Sequence, residues 1–409
     1  MADVEITYNG DTITMNDSGT EVLDTKGHWL PDDITISYTK HEGSVPAPYN
    51  DVVFWDDYVG EIAYSYSASE FMNLSEMPQN PVHNGMTSQG WNWTLADAKT
   101  QLATTGFLSI GQMYVTADGK TRAYITIPNN TRKTVRVNWN QSVAYSVSVD
   151  FGDGSAAVTE SGTGNKNAVH EYATCGDYII TLTVSSGTMR LGNGGNSTTL
   201  IQSGESDVRY PYCAMLRRLE IGSNVTDIRD NCLYNSFLLN ALTIPNTVTT
   251  INGGAFYACS SLTHITIPSS CTEIKGDNTF RACRALYDLS LPKQATTVSS
   301  SSIFRDNQII NIALPNFTTI TEYMLAIGGT ITKMVIPSTV TSIAANAFNG
   351  NSGMKEYHFK SATPPTVANS NAFTSIPSDC VIYVPSGKLS AYTSAQNYPD
   401  SSTYTYIEE

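Results

Sequence analysis

The chain has 409 residues, of which 41% are hydrophobic and only 15% are charged, and its formal net charge is −14. This length is enough for about two to four packed domains. The negative charge repels phosphate backbones and anionic lipids, so we expect neither nucleic-acid binding nor membrane insertion. Tyr is frequent, at 23 residues, and such a composition is typical of mainly β surface proteins.

Residues 1–40 alternate apolar and polar side chains, in VEITYNGDTITM and again in DDITISYTK. This alternation predicts strands with one buried face, so we expect a small β module for attachment. Pro46 and Pro48 then bracket a predicted linker. The start, MADVEITYNG, has neither the basic nor the apolar segment of a secretion signal.

Residues 50–128 form a predicted α+β module. SASEFMNLSEMP and WTLADAKTQLATTG each place Ser or Thr ahead of an apolar helical pattern, which predicts two capped helices. LSIGQMYVTADGKTRAYITI predicts a hairpin that turns at Asp118-Gly119. Both N-terminal modules resemble segments of tail-associated proteins of phages and prophages. The resemblance implies attachment to other virion proteins, and we expect residues 1–128 to carry attachment or assembly into a homo-oligomer.

In residues 129–186, the patterns of YSVSVDFGDGSAAV and HEYATCGDYIITLTV predict alternating strands around a Gly/Asp turn. This stretch resembles the PKD-type immunoglobulin-like β-sandwich in the turn DFGDG and in His170, Tyr172, Gly176 and Tyr178, although Val149 stands where that family usually has Trp. The resemblance implies a spacer domain in which Asp150 and Asp153 are turn formers. Whether a Ca ion sits in the sandwich is left open.

A repeat of about 23 residues fills residues 200–385. An apolar-x-apolar segment ends in turn at Gly222, Pro245, Pro268, Pro292, Pro315, Pro337 and Lys360. A V-x-x-I pair follows, and then a large apolar residue: Leu233, Phe256, Phe280, Phe304, Leu325, Phe348 or Phe373. One such turn cannot bury its apolar side alone but can do so against identical neighbours. We therefore expect a right-handed solenoid of seven turns whose apolar-x-apolar strands form one parallel ladder.

The repeats ITIPSSCTEI, GGAFYACSSL and VIPSTVTSIAANAFNGNSGM resemble the BspA-type leucine-rich repeats. This resemblance implies surface display for adhesion or recognition. VIYVPSGKLSAYTSAQNYP resembles the end segment of such arrays, so a last strand at Val381–Val384 and a cap at residues 386–409 are expected. The predicted fold class is mainly β and multidomain, with small β and α+β N-terminal modules, an immunoglobulin-like β-sandwich and a C-terminal leucine-rich-repeat solenoid.

Motifs of enzymes and metal sites are incomplete in this sequence. DGKT lacks the first Gly of a phosphate loop because Tyr114 stands there, and HEYAT lacks a second His ligand because Thr174 stands there. Cys259 and Cys283 hold the same place in successive repeats, which favours buried thiols. A glycosidase pair of carboxylates stays open on sequence alone. We expect no enzyme and no cofactor.

The loops between the inward Phe and the inward Leu of each repeat are rich in Tyr, Arg and Asn, which dominate recognition surfaces. The candidate binding residues are Tyr234, Asn235, Tyr257, Arg281, Arg284, Tyr287 and Arg305. Solvated loop residues without a binding role are the alternative. A hairpin with Trp91 and Trp93 is a second candidate, although core packing is the favoured role of Trp55, Trp91 and Trp93.

Two functions follow from these features. The favoured one is a non-enzymatic phage virion protein of the tail, baseplate or capsid surface, which recognises a host cell-surface glycan or protein through the repeats. The start of the chain, without a secretion signal, favours this function. The alternative is a bacterial cell-surface adhesin with BspA-type repeats.

Overall fold

Strands dominate the described residues, and helices are few and short. The computed structural model describes the backbone at residues 2–8, 11–17, 35–39, 51–127, 133–194, 199–203, 216–294, 297–298 and 301–409. Side chains are described at residues 51–127, 133–194, 199–202, 216–294 and 301–409. The predicted linker around Pro46 and Pro48, and Cys213, lie outside the described residues.

Two sheets precede the repeats. The first is antiparallel, in the order β2-β1-β3, and consists of β1 (Ala2–Tyr8), β2 (Asp11–Asp17) and β3 (Thr35–Thr39). The second, in the order β5-β4-β7-β6, carries two helices and consists of β4 (Val52–Asp56), β5 (Glu61–Tyr66), α1 (Ala68–Met72), β6 (Met86–Trp91), α2 (Leu95–Thr105) and β7 (Leu108–Thr116). We call residues 51–116 the docking unit. The side chains of Ser67 and Thr94 cap its helices, as the sequence predicts.

The predicted hairpin at Asp118-Gly119 is wrong. β7 pairs with β4 and β6, whereas β8 (Thr121–Ile127) pairs with β11 (Gly176–Val184) and β14 (Leu216–Glu220). The turn therefore carries the chain from one sheet to another, and β8 lies in the same sheet as β11 and β14. Apolar alternation predicts each strand correctly, but it does not say which strand becomes the neighbour.

Residues 121–203, which we call the middle unit, are organised around β9 (Thr134–Asp150). This strand pairs along one edge with β10 (Val158–Glu171), and along the other with β11, β12 (Met189–Leu191) and β13 (Ile201–Ser203). Asp150 and Asp153 accept hydrogen bonds from the backbone N–H of Gly152 and Ser155, which confirms them as turn formers. The strands belong to one twelve-stranded sheet that continues into the repeats, and the immunoglobulin-like sandwich stays a prediction.

Six of the seven repeats contribute two short strands, whereas the segment that ends at Pro315 forms no strand in the first column. The apolar-x-apolar segments, which we call the first column, give β14, β16 (Ala241–Thr243), β18 (His264–Thr266), β20 (Asp288–Ser290), β23 (Lys333–Ile336), β25 (Glu356–Phe359) and β27 (Val381–Val384). The V-x-x-I segments, the second column, give β15 (Val225–Ile228), β17 (Thr250–Ile251), β19 (Glu273–Ile274), β21 (Thr297–Val298), β22 (Thr319–Ile320), β24 (Ser342–Ile343) and β26 (Thr366–Val367).

The parallel direction of the first column agrees with the prediction, but the described strands do not form the one continuous ladder that was expected. In this column β14 pairs with β16, β18 with β20, and β23 with β25 and then β27, always in parallel. The described ladder is thus divided into segments, and its handedness stays a prediction. The column of large apolar residues is also confirmed: Phe256, Phe280 and Phe304 are fully buried, with successive ring centroids 5.1 and 5.9 Å apart. Cys259 and Cys283 are buried, as expected, and their Sγ atoms donate to the backbone oxygens of Leu233 and Phe256.

The end of the chain covers the last repeat. Tyr392 on α3 (Leu389–Thr393) is buried, and its hydroxyl donates to the backbone oxygen of Ser361 at 2.7 Å, whereas Leu389 is exposed. A 3₁₀ turn at Ser370–Phe373 precedes the strand at Val381–Val384 that the sequence predicts. A further strand, β28 (Thr405–Glu408), extends the ladder beside β27 and is not evident from the sequence pattern.

The middle unit and the repeats share one core. β8 pairs with β14 and β12 pairs with β15, so both columns begin on strands of the middle unit. Trp139 and Phe151 belong to the same apolar cluster as Phe256 and Phe348. Paired strands and a common apolar cluster therefore join the middle unit to the array, and a spacer role for this unit stays a prediction.

Candidate binding groove on the repeat array

The docking unit covers the outer face of the first column. Leu and Ile of the repeat point inward, and the residues between them are small and buried: Thr243, Thr266, Ser290 and Ala313. Gly111 of β7 lies so near that a Cβ at this position would be 1.6 Å from Thr266 Oγ1. The absence of a side chain lets the two backbones approach, and this part of the array is thereby closed to a large ligand.

Polar side chains of the docking unit bind this covered face. Asn92 Nδ2 donates to the backbone oxygen of Ile267 at 3.0 Å and to Ser290 Oγ at 2.9 Å. Trp93 Nε1 donates to the backbone oxygen of Leu291 at 2.9 Å. Trp91 and Trp93 are both buried, so they pack in the core as expected and do not form an exposed platform for a ligand.

A buried cluster of ionisable groups lies in the same contact. The rings of Trp55 and His264 stack, and His264 Nε2 lies 3.3 Å from Asp57 Oδ1. Asp288 Oδ2 accepts hydrogen bonds from Trp55 Nε1 and from Ser109 Oγ, at 2.5 and 3.0 Å. Burial raises the pKa of Asp57 and of Asp288 above the ordinary value. The sequence did not predict this cluster, because Asp is usually solvated.

A groove of about 520 Å³ crosses the loops of successive repeats, on a surface that these docking contacts do not use. Three predicted binding residues line it, namely Tyr234, Tyr257 and Arg281. The two Tyr rings are stacked, with centroids 4.7 Å apart and an angle of 9° between their planes. The Arg281 guanidinium lies 5.9 Å from the Tyr257 centroid, which is within the range of a cation–π contact. Consecutive turns thus bring these residues together.

The other predicted binding residues lie outside the lining of this groove. Asn235 adopts a left-handed conformation with φ of 58°, and its N–H donates to the Tyr257 oxygen. Arg305 lies 4.5 Å from the Tyr323 ring, and Arg284 is half-buried. Tyr287 faces the docking unit, with its ring centroid 5.9 Å from that of Trp55. The residues predicted as one binding site therefore lie on different surfaces, since Tyr234, Tyr257 and Arg281 line the groove and Tyr287 faces the docking unit.

The acidic and amide residues of the groove were not among the predicted binding residues. Asp230 and Asn231 line it on one turn, and Asp277 and Asn278 line it two turns later. Between them stand Gly253-Gly254, and this Asp-Asn, Gly-Gly, Asp-Asn succession at fixed spacing is visible in the sequence. It could have identified the groove, because residues at one repeat position lie side by side in a solenoid.

Within the described ranges, no three His, Cys, Asp or Glu side chains come together in a way that could hold a metal ion. Among the described helices, none has the length and apolar character needed to cross a membrane.

The repeats match a family model described as BspA type leucine rich repeat region, in six copies, over residues 207–327, 255–378 and 319–395. This match spans residues 207–395, less than half of the chain, and it agrees with the resemblance to BspA-type leucine-rich repeats in the sequence. The protein is mainly β, with a C-terminal leucine-rich-repeat solenoid. No curated protein matches the sequence.

Three solved structures show weak similarity to this chain. A leucine rich cell surface protein from Faecalibacterium prausnitzii A2-165 is 18% identical, with a TM-score of 0.27, over 46% of this chain and 64% of that chain. The pneumococcal vaccine antigen PcpA is 16% identical, with a TM-score of 0.22, over 46% and 66%. A leucine-rich repeat protein from Bacteroides ovatus ATCC 8483 is 17% identical, with a TM-score of 0.22, over 44% and 66%. The match spans less than two thirds of each of those chains.

Proposed function

We propose that this chain is a non-enzymatic recognition protein of a bacterial cell surface, an adhesin whose repeat array binds its target in the groove of Tyr234, Tyr257 and Arg281. The BspA-type repeat region supports this function. The observation that carries the proposal is the convergence of two aromatic rings and a guanidinium from consecutive turns in one open groove. These residue types supply large, rigid contacts with polar ends.

The docking unit covers the first column, and this supports the groove as the binding surface of the array. Solenoids bind ligands on surfaces built from the same position of successive repeats. In this chain the docking unit buries the outer face of the first column from Thr243 to Ala313. The groove is formed by the loops instead, and it stays open.

Backbone hydrogen bonds between turns hold the walls of the groove in place. The N–H of Asn231 donates to the Gly253 oxygen and that of Gly254 to the Asp277 oxygen, both at 2.9 Å. The N–H of Ala258 donates in the same way to Arg281, at 2.9 Å. A binding surface that is already ordered loses little conformational entropy when a ligand arrives, so modest contacts can give useful affinity.

The test compares Tyr234→Ala/Tyr257→Ala with Tyr323→Ala, a Tyr variant on a later turn outside the groove. Binding of the labelled full chain to candidate host cells is measured by flow cytometry, and the melting temperature is measured in parallel. We expect the double variant to lose binding while the control keeps it. Undiminished binding by a folded double variant would contradict the proposal.

Display on a phage particle is the second candidate, and the resemblance of residues 1–128 to tail-associated proteins favours it. The groove would then recognise a host surface from the virion, and the N-terminal modules would contact other virion proteins or further copies of the chain. Antibody detection in purified particles and in cell envelopes separates the two candidates. Signal confined to envelopes supports the adhesin, and signal in particles supports the virion protein.

A further inference from the structure

Part of the groove lining is bare backbone. Gly253 and Gly276 lie back to back in successive turns, since a Cβ at Gly276 would be 2.4 Å from Gly253 Cα. Gly194, Gly254 and Gly276 all have positive φ values, which favour glycine. Atoms of the protein fill the places where side chains would stand, so these glycines let successive turns pack closely. The polar surface of the groove therefore comes mainly from its Asp, Asn, Tyr and Arg side chains.

Two carboxylates line the groove and have acceptor capacity to spare. Asp230 Oδ1 accepts from the Gly253 N–H at 3.2 Å, and Asp277 Oδ1 accepts from the N–H and Oγ of Ser301 at 2.7 and 3.1 Å. The second oxygen of each carboxylate accepts no hydrogen bond from the described residues. Each Asp is thus oriented by one oxygen and can offer the other to a donor on a ligand.

The charges of the groove disfavour an anionic ligand. Arg281 is its one cationic lining residue among those described, and its Nε lies 3.3 Å from Asp306 Oδ2 while its Nη1 lies 3.4 Å from Asn278 Oδ1. Asp306 Oδ2 also lies 3.6 Å from Arg305 Nε, so this carboxylate neutralises the charge of Arg281 only in part. Asp230 and Asp277 leave the groove with negative charge, which repels a sulfate, phosphate or carboxylate group.

The two carboxylates are also too far apart to share a metal ion. They stand two repeats apart, which corresponds to about 10 Å at the usual spacing of adjacent strands. Ligands of one Ca²⁺ ion lie about 2.5 Å from the metal, so both cannot bind it together. The ligand must instead span the groove with several separate donors and acceptors.

Resting on the proposed function, we propose that the groove binds a neutral, hydroxyl-rich saccharide. Sugar hydroxyls are both donors and acceptors, and they match the carboxylates of Asp230 and Asp277 and the amides of Asn231 and Asn278. The stacked Tyr rings cover each other's faces, so they contribute edges and hydroxyls more than a flat apolar platform. A protein partner would need a deep apolar pocket for its anchor side chain, and this lining is mostly polar.

The test uses an array of neutral hexose oligosaccharides printed beside their sulfated and sialylated forms. We expect the full chain to bind a subset of the neutral glycans, and each added sulfate to weaken binding by about tenfold or more. Asp277→Asn keeps the Oδ1 acceptor but replaces the second oxygen by an NH₂ group, so it should weaken binding by about tenfold. The control is Asp379→Asn, an exposed carboxylate paired with Lys355 outside the groove.

Cell binding distinguishes the failure of this inference from the failure of the proposed function. If the Tyr234→Ala/Tyr257→Ala variant loses cell binding, but neutral glycans do not compete and protease treatment of the cells abolishes binding, the ligand is a protein and the inference is wrong. Stronger binding of sulfated or sialylated forms also overturns it. If the Tyr variant binds cells fully, the groove itself is not the recognition site.

Discussion

The rings of Trp55 and His264 lie parallel, with centroids 4.2 Å apart and an angle of 6° between their planes. Trp55 belongs to β4 of the docking unit, whereas His264 belongs to β18 of the repeat array. Asp57 and Asp288 contact the same pair from the two sides of the boundary. The stacked rings are therefore a contact between the docking unit and the repeat array, which the sequence analysis predicts as separate domains.

Gly111→Ala is expected to destabilise this contact. The new methyl group would overlap Thr266 and force β7 away from the array, at a cost of about 1–3 kcal/mol. Urea unfolding measures the change. Thr266→Gly removes all three atoms that the methyl would meet, so the double variant should lose less stability than the sum of the two single changes. Additive losses would show that the two strands do not touch here.

Gly276→Ala should cost more stability than Gly350→Ala. Both glycines have left-handed φ values, of 78° and 84°, so both substitutions strain the backbone by about 1–2 kcal/mol. Only at Gly276 does the Cβ also meet the backbone of Gly253, while at Gly350 nothing lies within 4 Å. Thermal unfolding of both variants gives the difference. Equal losses would mean that successive turns are spaced more widely than described.

Phe280→Ala should destabilise the chain by about 3–5 kcal/mol, because its ring is fully buried between Phe256 and Phe304. Thr249→Ala, at an exposed position of the second column, is the control and should change stability by less than about 0.5 kcal/mol. Chemical denaturation of both variants measures the changes. A loss below about 1 kcal/mol for Phe280→Ala would place the column of rings outside the core.

Asp153 should make the middle unit sensitive to acid. Its hydrogen bonds from Ser155, and then its contact with His170, lower the pKa of this carboxyl from 3.8 to about 2. A lowered folded-state pKa gives a stabilisation that is present above about pH 4 and is lost as the pH falls towards 2. Asp153→Asn should therefore lower the urea midpoint at pH 6 but differ little from the parent near pH 2.

His170→Gln separates the two causes of this shift. Because the Ser155 hydrogen bonds contribute most, the variant should retain most of the acid sensitivity of the parent chain. A complete loss of the sensitivity would assign the effect to the contact between His170 Nε2 and Asp153 Oδ2, which is 2.7 Å long.

The repeats could be predicted from the sequence because their information is periodic. Pro245 and Pro268 mark the ends of equivalent strands, and Phe256 and Phe280 mark equivalent inward positions, so each turn confirms the register of the next. Two of the predicted binding residues, Tyr234 and Tyr257, stack because they share one repeat position. Periodicity fixes neighbours as well as secondary structure.

The contacts between non-repeating segments could not be predicted in the same way. The alternation in TRAYITI identifies β8 as a strand but says nothing of β14, which is its partner. The sequence carries one weak sign of the covered face, namely the small residues at the outward positions of the first column, Thr243, Thr266 and Ser290. An outward position that faces solvent can hold a side chain of any size. Their size makes sense only once the strand that packs against them is known.

Pairing of β8 with β14 and of β12 with β15 also gives the array a direction of growth. During synthesis the middle unit leaves the ribosome before the repeats, and domains generally fold in that order. We therefore expect the first turn to extend the sheet of the middle unit, and each later turn to pack on the one before it. We expect truncation near residue 400 to affect only the end of the array, whereas a substitution that disrupts β8 would remove the strand on which the first column begins.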